Sequence, residues 1–185
     1  MRIVFLVYGL IIFICLFWDA LSRSSALYAW THSSLPSFGA ILFALFFSVL
    51  YVFVSQLSVR FSDWGRQLQN LLGHLLTPIS YIQIGMLAGV SGFVEEWFFR
   101  GILLAHFGIV ISSFIFGLCH LILKKRLWIW SLWCFVAGIA FALIYQITGS
   151  LLLCALIHMF INAALMSLLN QKAYHQPNLW ANSEQ

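Results

Sequence analysis

The chain has 185 residues, 63% of them hydrophobic and only 8% charged, with a mean hydropathy of +0.98. Soluble domains carry about 25% charged residues, so this composition excludes a water-soluble globule and predicts an all-α, polytopic membrane helix bundle. The net charge of +4 is no nucleic-acid signal, because the Lys and Arg residues fall between apolar segments and build no basic face.

At ~20 residues per span the length suits about six transmembrane helices. They are expected near 3–18, 37–58, 79–106, 108–123, 127–147 and 150–170. Met1-Arg2 followed by the apolar run Ile3 to Trp18 has the look of a signal peptide, but Ala20-Leu21-Ser22 is a poor cleavage site. It reads as a retained first helix that also targets the chain. A polar loop with Arg23, His32 and Pro36 precedes the second helix. The stretch Arg60 to Pro78 is amphipathic and expected to lie partly in the interface. The third segment, 28 residues long, would measure ~42 Å against a ~30 Å hydrocarbon core. It must start outside the hydrocarbon, tilt, or break at a glycine. A tight turn is expected at Phe107-Gly108. These elements divide the chain into N-terminal helices with their connector (1–78), a four-helix core (79–170), and a polar tail (171–185) expected to be disordered. Cys15, Cys119, Cys134 and Cys154 all fall inside expected spans without a C-x-x-C pair, and read as apolar packing.

Arg2, Arg60, Arg66, Lys124, Lys125, Arg126 and Lys172 fall on the side of the N-terminus, and only Arg23 on the other. This bias predicts both termini in the cytoplasm.

Only five residues are acidic, yet Glu95 and Glu96 stand together inside the third segment, followed by Arg100. A charge near the bilayer centre costs roughly 2.5–3.5 kcal/mol on insertion scales and marks function by default. Glu96 and Arg100 are four apart with the acid first, the favourable order for an ion pair on one helix. Glu95 points about 100° away, toward different neighbours, and has only Ser91 and Phe99 at the positions four away. That leaves it as the candidate base. Phe116 and His120 share a face in the fourth helix, as do His158 and Asn162 in the sixth. A hairpin folded near Phe107-Gly108 brings Glu95 and His120 to one depth. His32, His74, His106 and His175 sit in loops or at span ends, where no chemistry is expected. Gly85, Ala88, Gly89 and Gly92 suggest close helix packing.

Glu95-Glu96-x-x-x-Arg100, then Phe116-x-x-x-His120, then His158-x-x-x-Asn162 resembles the ordered motifs of the CPBP family. That family comprises type II CAAX prenyl endopeptidases and bacteriocin-processing or immunity proteins, also called Abi proteins. The resemblance covers roughly residues 80–170. It implies a glutamate-dependent intramembrane protease without cofactor or metal, acting on a membrane-associated protein or peptide. By the resemblance, Glu95 activates water that His120 holds, His158 and Asn162 stabilise the oxyanion, and Glu96 with Arg100 braces the helix, with Phe116 in support. Two other readings stand beside it. Glu95, His120 and His158 form a two-His, one-carboxylate set that suits zinc, although no H-E-x-x-H is present. A non-enzymatic immunity or partner-binding protein would keep the same fold.

Overall fold

A computed structural model describes residues 2–22, 30, 35–76 and 78–175, and among them there is no strand. The all-helical bundle expected from composition is what forms. In chain order the helices are α1 (Arg2–Ser22), α2 (Phe38–Phe61), α3 (Asp63–Leu76) and α4 (Tyr81–Glu96). They continue with α5 (Leu104–Cys119), α6 (Trp128–Thr148) and α7 (Leu151–His175). Arg23, His32 and the tail beyond His175 lie outside the described residues.

Among the described residues, five stretches are long and apolar enough to cross a membrane: Val4–Leu21, Phe38–Phe61, Tyr81–Cys119, Lys125–Thr148 and Leu151–Lys172. With the composition, they make the chain an integral membrane protein. The third stretch holds two of the expected helices. Its backbone reverses at Gly108, with φ 73° and ψ 179°, a combination essentially restricted to glycine. Across the fold, Phe99 meets Phe116 edge-on with ring centroids 4.9 Å apart. The turn therefore sits where the sequence predicts it.

Two clamps set the register of α4. Ser80 and Gln83 form a capping box that satisfies the first free N–H groups. From α7, Asn170 accepts the Ile79 N–H at 3.1 Å and donates to the Ile79 carbonyl at 2.8 Å. Further along, α4 and α7 approach so closely that a Cβ at Gly92 would lie 2.8 Å from both Ala155 O and Met159 N. Gly85 and Gly89 face open space, so of the expected glycine contacts only Gly92 is a close approach. After Glu96 the helix widens into π-helical turns over Trp97–Leu103, a local form that recurs at functional sites.

A core of Ala44, Ala137, Phe141, Ile144, Cys154 and Ile161 ties α2, α6 and α7 together. The outward side chains Leu6, Leu10 and Phe13 of α1, and Phe46 and Phe53 of α2, are exposed apolar surface that a bilayer would cover. α3 is amphipathic, as expected of its stretch, and packs on α2, on α7 and on the turn Lys125–Leu127. Where it meets α2 and α7, Arg60, Arg66 and Lys172 line one open depression.

Two local expectations are corrected. The fourth helix ends at Cys119 rather than 123, because the backbone leaves helical geometry at His120 (φ −99°, ψ 10°). The four cysteines are free thiols, but Cys119 is exposed instead of packed in the interior.

Candidate active site

The close approach at Gly92 brings both acids of α4 against α7. Glu95, Glu96, Arg100 and His158 are 8%, 0%, 2% and 5% exposed. Charges so deeply buried persist only when paired and hydrogen-bonded. Glu96 Oε1 is paired with Arg100 Nη1 at 3.0 Å and hydrogen-bonded with His158 Nδ1 at 2.8 Å. The ion pair with Arg100 is close without the alignment of a hydrogen bond. The guanidinium is held instead by the Gly138 carbonyl at 3.4 Å and by ring faces, 4.9 Å from Phe116 and 5.0 Å from Phe141.

Glu95 is turned to a different set. Its Oε1 accepts a 2.6 Å hydrogen bond from Tyr8 of α1. Its Oε2 has no hydrogen-bond partner among the described residues. That oxygen lies 4.0 Å from His120 Nε2 and 3.9 Å from His158 Nε2. The two glutamates were expected to face different neighbours. They share one, because the two nitrogens of His158 lie on opposite edges of its ring and reach both.

Each imidazole is oriented from behind. His120 caps α5, and its Nδ1 lies 2.8 Å from the Phe116 carbonyl, one of the acceptors left open at a helix end. A carbonyl only accepts, so Nδ1 carries the proton and Nε2 of the neutral ring presents a lone pair. The ring also packs on Phe116 at 4.6 Å. His158 stacks on Phe141 with centroids 5.2 Å apart and planes 17° from parallel.

Asn162 is one turn from His158 on α7, and its Nδ2 donates to Ser91 Oγ at 2.8 Å. It lines a cavity with His120, His158, Phe116, Phe141 and Trp130. The structure thus brings the predicted site residues into one cluster: Phe116, His120, His158 and Asn162 line the cavity, Glu95 faces the two histidines, and Glu96 with Arg100 stands behind His158. Sequence reasoning missed Tyr8, Ser91 and Phe141. Of these, only Tyr8 carried a signal, as a tyrosine seven residues into an apolar helix rather than in the aromatic belt at its end.

Residues 77–164 match the family model described as type II CAAX prenyl endopeptidase, Rce1-like. The match spans Glu95 to Asn162 and agrees with the CPBP resemblance carried by the motifs. It supports, in general terms, a CAAX-type protease acting on a peptide within a membrane. No curated protein and no solved structure matches the chain.

Proposed function

We propose that this Rce1-like chain is a glutamic-type intramembrane endopeptidase in which Glu95 activates a water for attack on a membrane-associated peptide. The observation that carries the reading is the convergence of Glu95 Oε2 with two imidazole Nε2 atoms, at 4.0 and 3.9 Å. Gaps of that size are too long for direct hydrogen bonds and suit a water about 2.8 Å from each partner. A tetrahedral zinc with bonds of ~2.0–2.2 Å holds its ligand atoms only ~3.3–3.5 Å apart, so the set as it stands is too wide for that ion.

In the proposed step, Glu95 Oε2 takes a proton from the water while His120 Nε2 accepts its other hydrogen as a hydrogen bond. The water oxygen bonds to the scissile carbonyl carbon. In its imidazolium form, with Nδ1–H donated to Glu96 Oε1, His158 would present Nε2–H to the developing oxyanion. Asn162 offers the amide hydrogen that Ser91 does not use. Donors of this kind are worth about 3–4 kcal/mol each in acyl transfer. When the C–N bond breaks, the proton held by Glu95 passes to the leaving nitrogen. A prenylated tail, a peptide leader and a C-terminal sorting anchor are all substrates of the required chemistry.

The test is Glu95→Gln, which keeps the shape and removes the base. Cells carrying it accumulate an uncut membrane-anchored precursor by comparative proteomics, and purified protein in lipid nanodiscs cleaves that precursor at least about 100-fold more slowly. Equal processing by wild type and variant would overturn the reading in favour of a partner-binding protein. Activity lost to chelators and restored by stoichiometric zinc would replace it with a metalloprotease.

A further inference from the structure

Tyr8 stands 87 residues from Glu95 and outside the stretch that matches the family model, yet its hydroxyl makes the shortest hydrogen bond at the site, 2.6 Å to Oε1. A carboxylate has two equivalent oxygens and a soft terminal torsion, so a buried glutamate does not by itself decide which oxygen meets the water. Here the phenol occupies Oε1, while Oε2 accepts no hydrogen bond among the described residues and is turned to His120 and His158. The register of the phenol is fixed by the same face of α1. Ile11, Cys15 and Trp18 follow Tyr8 at helical spacing and pack around Ile102 and Trp97. Trp18 adds an edge-on contact with His106 at 5.1 Å.

We propose that Tyr8 is a positioning residue for the reaction: its hydroxyl anchors Oε1 and thereby assigns Oε2 as the basic oxygen. The inference rests on the reading of Glu95 as the base. It makes α1 part of the machinery, although no motif lies on that helix.

The substrate for the test is the precursor that accumulates in Glu95→Gln cells, presented to purified protein in nanodiscs. Tyr8→Phe removes one oxygen atom, and kcat is expected to fall roughly 10- to 100-fold, the range for a hydrogen bond to a charged group, with KM unchanged. Mono-, di- and trifluorotyrosine at position 8 keep the contact but strengthen the donor, so kcat changes steadily along the series. A merely structural phenol would leave that series flat. A fluorine NMR signal from the same label shifts when Glu95→Gln is introduced, a readout independent of turnover. Wild-type kcat in Tyr8→Phe, a flat series, or a signal indifferent to Glu95→Gln overturns the proposal. If Glu95→Gln itself stays active, the base assignment has failed; if it is inactive while Tyr8→Phe is unimpaired, only the anchoring role has failed.

Discussion

Glu96 concentrates two demands on one oxygen, accepting the charge of Arg100 and the Nδ1–H of His158 at Oε1. Removing one member of a buried pair strands the other, which typically costs about 3–5 kcal/mol, whereas replacing both by apolar groups of similar volume is often neutral. Glu96→Ala is therefore expected to lower stability by about that amount. The double replacement Glu96→Met with Arg100→Met is expected to recover most of it, measured by thermal unfolding in detergent. Cleavage should not return with the fold, since His158 has lost the acceptor behind its ring. Recovery of both together would reduce Glu96 to a counter-ion for Arg100. At this scale the motif residues were legible because ionisable groups are costly in hydrocarbon and stand out from it. Phe141 was not, and the depth of Tyr8 marked it without naming its partner, because each acts across a helix interface that spacing along one helix cannot reveal.

The hairpin between α4 and α5 rests on Gly108, and nothing lies within 4 Å of a Cβ built there. Any penalty for a side chain at that position is thus a backbone penalty, of order 1–3 kcal/mol for a residue forced into this region. Gly85 offers the matching control, with equal space around it but helical geometry. Gly108→Ala should destabilise by about 1–3 kcal/mol. Gly85→Ala should be neutral or stabilising by up to ~1 kcal/mol from helix propensity. Denaturant unfolding in detergent compares them, and equal effects would refute the backbone explanation. The turn could be anticipated because a glycine stands midway between two polar groups that need a common depth. The widening at Trp97–Leu103 could not, since the sequence there continues an apolar helical pattern and a π-helical turn leaves no composition signal. The end of α5 was misplaced for a related reason. Residues 120–123 look helical by hydropathy, but His120 uses its side chain to close the helix on the Phe116 carbonyl.

Across the whole molecule, cations distant in the chain gather at one end. Arg60, Arg66 and Lys172 share a depression, and the turn that carries Lys125 and Arg126 packs on the adjoining α3. The positive-inside bias predicts a cytoplasmic position for that end, which would put the reversal at Gly108 and the α6–α7 connection at Gly149 and Ser150 on the far side. The site cavity bears on the same question. It shares Trp130 and Leu165 with a largely apolar slot under α3, and that slot shares Gln56, Val59 and Gln69 with the basic depression. Along α7 the step from His158 to Lys172 is 14 residues, about 21 Å of helix. A peptide reaching the histidines from the basic end would need about six extended residues to cover it. Alkaline phosphatase inserted after Gly149 should therefore be active, and the same enzyme fused after Lys172 inactive. A fluorescent protein at the C-terminus should glow. The reverse pattern would turn the molecule over, and with it the side of the membrane to which the slot opens.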